Sequence, residues 1–515
     1  MAATERSYLT GREWMSVLLL VTAVAVVLAA GAGTAGAQSF QEDINETFGS
    51  PVDGDSDKIQ SVIQTRDGGY ALAGQTQSFG SGGQAAWFIK TDSDGNVEVN
   101  KTFGGSSFDD AQSVIQTDDG GYALAGETGS FGGGDAWLIK LDANGNEVFS
   151  KTYVSNSVRA NSVVQTDDGG FALAGSTRPP GGGGINALLV KTDANGNEEF
   201  NRTYGAIDPN EFLDREIFLS MVQTSDGGFA FGGSTESFSE GASADAWLVK
   251  TNESGDIEIN ETFGAAGIDL ATSVLQTPKD GYALGGSTAS FGSGAEDAWL
   301  IKTDVNGNEE FNRTYGKSTS GDRDEFDSLV WTQDGGFALA GNTDSFGFGT
   351  ETNSRDAWLV KTDSNGNEEF NITFGGKEDD EWESLVQTTD GGFAFGGSTE
   401  SVGIGNADSE AAWLLKISPQ EDLFTDQLIG SFDDPPTNTQ ELDNTLYEDL
   451  NGDGDGLGTT QTVRVFGQLI RGNDLNGNAS DGSLTDEQAR ALNWNQGSPE
   501  TEVTPADMVS LFGQQ

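Results

Sequence analysis

The sequence predicts an all-β fold: a seven-bladed β-propeller closed by an N-terminal strand, with a small α-helical calcium-binding domain after it. Three observations carry the propeller. A unit of four short strand-like runs recurs with a D-G-G-[YF]-A core, or a close variant, centred on Tyr70, Tyr122, Phe171, Phe229, Tyr282, Phe337 and Phe393. The copies are spaced by roughly 50 residues, the period of propeller blades rather than of helical solenoids. The seventh copy stops after three runs, at Ile417, and the missing fourth run stands before the first copy as Glu42-Asp43-Ile44-Asn45-Glu46-Thr47-Phe48-Gly49. A ring whose first segment completes its last sheet has this permutation and leaves no unpaired blade edge.

Within one unit, Ser113 to Tyr153, runs rich in Val, Ile, Tyr, Phe, Trp and Thr alternate with Asp-Asp-Gly-Gly, Ser-Phe-Gly-Gly-Gly and Asn-Gly-Asn. These are turn sequences, so the unit reads as a four-stranded antiparallel meander. The third run holds a Trp at positions 87, 137, 247, 299, 358 and 413, replaced in the third copy by Ala187-Leu188-Leu189. One large aromatic at a fixed place suits the gap between facing sheets better than a sugar-stacking ring, because its neighbours are apolar on both sides.

The chain carries 82 Asp and Glu against 26 Lys and Arg, a net charge of −56. The acidity is spread through the repeats and reads as a high-salt adaptation like that of halophilic archaeal proteins, since screening at about 3 Å in 1 M salt makes such repulsion tolerable. Nucleic acid is a poor partner for this polyanion. There is no Cys and no His, which removes disulfides, Cys- or His-ligated metals and every Ser-His-Asp triad.

Residues 1–37 combine Arg6 and Arg12, an apolar run from Val17 to Ala30 and Ala35-Gly36-Ala37, the pattern of a secretory signal cleaved after Ala37, with an uncleaved anchor as the alternative. The expected product is secreted or cell-surface and monomeric, without membrane insertion after cleavage. The propeller spans 38–418, a polar linker with Asp433-Asp434-Pro435-Pro436 spans 419–446, and a second domain spans 447–515.

Two features repeat in the blades. Asp142, Asp193, Asp304 and Asp363 each open an Asp-x-Asn-Gly-Asn stretch that looks like part of a calcium loop but reads as a type I′ hairpin turn, because a strand follows at once. The outer run carries Asn45, Asn100, Asn201, Asn260, Asn312 and Asn371, each two residues before a Thr and broken only by Ser150 in the second copy. In a secreted chain these are N-glycosylation acceptors; duplication of an edge-strand Asn is the alternative.

In the C-terminal domain, Asp449, Asn451, Asp453 and Asp455 alternate with Leu or Gly ahead of an apolar run, Val463 to Ile470, expected to be one helix. Oxygen side chains on alternate positions are what Ca²⁺ requires. A second segment runs from Thr485 through Asn493 and Asn495 to Asp507, and matching Phe466-Gly467 to Phe512-Gly513 sets Gln461 against Asp507. The pair resembles a type I dockerin, the duplicated F-hand module of cellulosome-type assemblies. The resemblance implies Ca²⁺ held by Asp449, Asn451, Asp453 and Asp455, closed at Gln461, with Asn493, Asn495 and Asp507 in the second loop, and docking to a cohesin-like extracellular protein. The neutral Gln461, a first loop longer by one residue and an expanded second loop around Pro499 depart from that pattern.

The expected function is therefore a non-enzymatic binding or scaffold protein, its propeller meeting a protein or glycan. The alternative is an extracellular propeller enzyme acting on polysaccharide through Asp208, Glu211, Asp214 and Arg215, in the irregular stretches of the third and fourth copies.

Overall fold

The computed structural model describes residues 40–419, except 51–54, 81–82, 133, 155–157, 179–183, 206–213, 240–242, 294, 318–320, 348–354 and 403–409, together with 462–465 and 468–471. Blades 1 to 6 are consecutive four-stranded antiparallel meanders whose first strands are Asp57–Gln64, Asp109–Gln116, Arg159–Gln165, Glu216–Gln223, Asp269–Gln276 and Asp324–Trp331. Blade 7 takes Asp380–Gln387, Phe393–Thr399 and Ala411–Pro419 from the end of the propeller and Phe40–Phe48 from its beginning. The closing strand pairs antiparallel with the third, setting Thr47 opposite Trp413 and Phe40 opposite Pro419. The first strand of each blade packs beside that of the next, and Asp380–Gln387 packs beside Asp57–Gln64, so the ring is closed. The expected seven-bladed propeller and its N-terminal closure are both present.

Burial follows position in the blade. The second and third strands, such as Tyr122–Thr128 and Asp135–Leu141, are buried almost throughout, whereas the outer strand Glu147–Tyr153 alternates exposed with half-buried residues. Continuous apolar runs are required where both faces of a strand meet other sheets. Each seam has its own core. Trp137 of blade 2 lies with Ala71, Ala73, Ala86 and Phe88 of blade 1, and Trp247 of blade 4 lies with Ala172, Ala187 and Leu189 of blade 3. The alanines are small because the neighbouring blade's indole fills the space above them. At the closing seam, Trp87 packs with Ala394, Ala412 and Leu414 of blade 7 and with Ile44 of the closing strand.

Every innermost strand carries a bulge, between Ala111 and Ser113 in blade 2, for example. The carbonyl ahead of the bulge hangs over the second strand: a Cβ on Gly126 would stand 2.0 Å from the Asp110 oxygen. Glycine at that point of Y-A-L-A-G is thus a matter of clearance.

Two expectations are corrected. A type I′ turn needs positive φ at both central residues, but in Asp142-Ala-Asn-Gly-Asn only Gly145 is left-handed, at φ 72°, and the register slips between Lys140 and Leu141. The turn is a longer bend, in which Gly145 N–H donates to the Asp142 carbonyl at 3.0 Å and the glycine is the bulged residue, so one glycine suffices to make it. Second, the helix expected over Val463 to Ile470 is a hairpin of Thr462–Val465 and Gln468–Arg471. Thr462, Val463, Val465 and Ile470 are β-branched, which favours pairing over helix. The signal segment, the linker and the calcium loops lie outside the described residues.

Candidate functional site

Strand direction gives the ring two unlike faces. First and third strands start, and second and fourth strands end, on one face, here called the crown; the tight turns lie on the other.

On the turn face the recurring Asp of each Asn-Gly-Asn turn is held by the turn's own bonds. Asp142 Oδ1 accepts the backbone N–H groups of Asn144 and Asn146, both at 2.8 Å, while Oδ2 accepts Asn146 Nδ2 at 3.0 Å. These bonds, the Asn146 backbone N–H first, hold the Asp142 carboxyl below its ordinary value. Asp193, Asp304 and Asp363 repeat the arrangement. Among the described residues no group of three or more His, Cys, Asp or Glu is placed to hold a metal ion. Beneath the turns, Lys191 is 6% exposed between Asp168 at 2.8 Å and Glu199 at 2.9 Å, and Lys361 repeats this with Asp334 and Glu369. Successive blades are also stitched together, because a turn N–H donates to the Gln ending the next blade's first strand. The bonds run from Arg66 to Gln116, Asp118 to Gln165, Asp167 to Gln223, Ser225 to Gln276, Gln333 to Gln387 and, across the closing seam, Thr389 to Gln64. The remaining joint has Pro278, which lacks an N–H, facing Trp331, which lacks an acceptor. Donor and acceptor were lost together.

The recurring sequon residues have packing roles. Trp87, Trp247 and Trp413 Nε1 donate to Asn100, Asn260 and Asn45 Oδ1 at 2.7, 2.6 and 2.7 Å. In blade 2, where the sequon is broken, Trp137 Nε1 donates to Ser150 Oγ at 2.7 Å. The Thr two residues on is the indole's cross-strand neighbour, Thr102 opposite Trp87 and Thr152 opposite Trp137. Asn201 and Asn312 instead donate to Glu198 and Glu309, each at 2.7 Å. At Asn45, Asn100 and Asn260 the sequon Asn is thus also the acceptor of its blade's indole.

The crown holds a constellation that the sequence reading missed. Every unit but the third begins with a buried carboxylate bonded to a hydroxyl 19 or 21 residues later, and in most of them to both. In blade 2, Asp109 accepts Thr128 Oγ1, Ser130 Oγ at 2.6 Å and the Gly105 N–H at 2.9 Å. Asp57 with Thr76 and Ser78, Asp269 with Thr288 and Ser290, and Asp324 with Thr343 and Ser345 form the same clasp; Glu216 with Ser237 is its variant in blade 4. The residue after the clasped Ser is a phenylalanine that leans on the buried indole of its blade. Ring centroids are 5.6 Å apart for Phe79 and Trp87, 5.8 Å for Phe131 and Trp137, 5.7 Å for Phe238 and Trp247, and 5.5 Å for Phe291 and Trp299. Phe131 is nevertheless 54% exposed, and Phe108 and Ile268 on neighbouring crown loops are 45% and 54% exposed. Blade 3 lacks the unit as a whole: Val158 stands for the Asp, Leu188 for the Trp, and Arg178-Pro179-Pro180 for the serine and phenylalanine. Blade 7 keeps the clasp, Asp380 with Thr399, and the indole, Trp413, but has Val402 in place of the phenylalanine.

At the crown mouth of the central channel, Lys58 reaches Glu381 at 3.2 Å and Glu410 at 2.7 Å, Arg355 reaches Glu325 at 3.1 Å and Glu381 at 3.7 Å, and Arg159 reaches Asp110 at 2.9 Å. Of the residues considered for polysaccharide chemistry, Asp214 shares the Ser237 hydroxyl with Glu216 and Arg215 is exposed beside it. Asp208 and Glu211 lie outside the described residues, as do Asp449, Asn451, Asp453, Asp455, Gln461, Asn493, Asn495 and Asp507.

No family model matches the chain, and no curated protein matches it. Among solved structures it is similar to an α-L-arabinanase of Penicillium chrysogenum in complex with arabinobiose, at 11% identity and TM-score 0.40, over 73% of this chain and 98% of that one. It is also similar to Sqt1 of Chaetomium thermophilum, at 12% identity and TM-score 0.39, over 70% and 83% of the two chains. A protein of unknown function from Bacteroides caccae matches at 10% identity and TM-score 0.34, over 59% and 93%. The propeller assignment rests on the sheets themselves.

Proposed function

We propose that this chain is a non-enzymatic binding or scaffold protein, secreted or held at the cell surface, whose crown meets an extracellular protein or glycan. One observation carries the reading: a buried clasp in successive blades holds a phenylalanine out toward solvent on the same face. Exposed aromatics grouped on one face of a polyanion are the usual mark of a contact surface. Phe40 and Pro419, from which the two flanking segments depart, pair at the opposite end of blade 7, on the turn face. A protein tethered by either flank therefore presents the crown outward.

The C-terminal domain fits the same role as a Ca²⁺-dependent docking module for a cohesin-like partner. The all-oxygen set of Asp449, Asn451, Asp453 and Asp455 suits this hard cation, while a strand directly after Gln461 departs from the helix that follows such loops. Occupied sequons at Asn45, Asn100 and Asn260 would put glycans on outer strands, clear of the crown. The test is capture of extracellular partners by wild type, by the Phe131→Ser/Phe291→Ser variant and by a chain lacking 449–515, each with and without Ca²⁺. The proposal expects loss of one partner with the crown variant at unchanged folding, and of another with the truncation or with chelation. Capture indifferent to all three changes would refute it.

A further inference from the structure

Blade 6 has a crown phenylalanine that the chain itself covers. Phe346 stacks on the Trp358 indole, with ring centroids 5.2 Å apart and 23° between the planes. The Lys317 ammonium lies over the same ring, 4.0 Å from its centroid, and donates to the Ser345 carbonyl at 2.9 Å. An ammonium over an aromatic face is attracted by the ring's quadrupole, and the serine carbonyl takes one of its three N–H groups.

Lys317 occupies a position that recurs. The second residue after an outer strand donates its backbone N–H to the clasped serine of the next blade: Ser50 to Ser78 at 3.1 Å, Gly105 to Ser130 at 3.0 Å, Ala265 to Ser290 at 3.1 Å and Lys317 to Ser345 at 3.3 Å. The four loops share this anchor and the Ser-Phe pair that receives it. Of the four residues, only Lys317 is a cation. Ser50, Gly105 and Ala265 are too short to cover a ring, and Phe79, Phe131 and Phe291 are 37%, 54% and 40% exposed, whereas Phe346 is half-buried.

We propose that Phe79, Phe131 and Phe291 are seats for lysine side chains of a basic partner protein, each ammonium lying over the ring as Lys317 does in blade 6. The inference rests on the crown being a contact surface and names what it contacts. Two observations select a basic protein over a neutral glycan or an acidic protein. The chain's own occupant of such a ring is a lysine, and its net charge of −56 draws cations and repels anions. An exposed cation over one ring is worth about two- to fivefold in affinity. Three rings on one face act together when a single segment carries the lysines.

The test is fluorescence anisotropy of a labelled octalysine peptide titrated with the full chain, each comparison being made between variants of equal charge. Phe79→Leu/Phe131→Leu/Phe291→Leu keeps apolar bulk and removes the rings, and should bind about two- to fivefold more weakly than wild type for each ring lost. Lys317→Ala uncovers the fourth ring, so adding Phe346→Leu to it should weaken binding by a similar factor, whereas Phe346→Leu beside an intact Lys317 should leave binding unchanged. That pair gives the same reading at one ring should the triple variant fail to fold. Octalysine affinity unmoved by removal of the rings overturns the inference. If Phe131→Ser/Phe291→Ser still loses an extracellular partner in that case, the crown remains a contact surface and only its preference for lysine falls; if capture is unmoved as well, both readings fall.

Discussion

Replacing Asp109 by Ala tests the clasp on which the crown depends. The carboxylate is fully buried and takes the Thr128 and Ser130 hydroxyls and the backbone N–H groups of Gly105 and Ser130, the last at 3.3 Å. Bonds to a charged acceptor are worth about 1.5–3 kcal/mol each, but the four are not additive. Two donors have second acceptors in place: Gly105 N–H reaches Ser130 Oγ at 3.0 Å and Ser130 N–H reaches Thr128 Oγ1 at 3.2 Å. The two hydroxyls lose their ionic partner outright, and the desolvation of one carboxylate is recovered. The net cost should be about 2–4 kcal/mol, read as a lower denaturant midpoint. Phe131 should lose its fixed contact with Trp137, read as a shift in tryptophan emission. A cost below about 1 kcal/mol with unchanged emission would show that the loop is held by something else.

Other outcomes follow from the same geometry. Pro278→Ala and Trp331→Gln together restore the missing turn-to-strand joint; a double-mutant cycle should give a favourable coupling of about 0.5–1.5 kcal/mol, and zero coupling would mean that the stitch does not form. Ser150→Asn should leave stability unchanged while completing a sequon, visible by mass if the others carry glycans, whereas Ser150→Ala strands the Trp137 N–H at about 1–3 kcal/mol. The Thr65 hydroxyl and then Lys90 hold the Asp67 carboxyl down to about 2. A depressed carboxyl stabilises above its ordinary value, 3.8, and loses that contribution as pH falls toward 2. Lys90→Met should therefore shift the acid-unfolding midpoint upward, and an unchanged midpoint would remove the ion pair from the account.

The ring was legible because its signals are local. Strand runs, Asp-Gly-Gly and Asn-Gly-Asn turns and the displaced eight-residue segment at Glu42 to Gly49 need only adjacent residues to be recognised. The Asp109 clasp was missed because its members lie 19 and 21 residues apart and become neighbours only when the first strand pairs with the second. The Gln stitches were hidden for the same reason at longer range, Arg66 to Gln116 joining different blades. The N-x-T pattern suggested modification, yet Ser150 shows what blade 2 keeps when the sequon goes: an acceptor for Trp137. Over Val463 to Ile470 apolar spacing suggested a helix, but Thr462–Val465 and Gln468–Arg471, rich in β-branched residues at Thr462, Val463, Val465 and Ile470, pair as a hairpin.

The closure of the ring is tested most directly by native-state hydrogen exchange of the amides in Phe40–Phe48. If that strand completes blade 7, its bonded amides will be protected to the same order as their partners in Ala411–Pro419. Exchange at the rate of an unstructured chain, while 411–419 stays protected, would contradict the closed propeller and with it the crown.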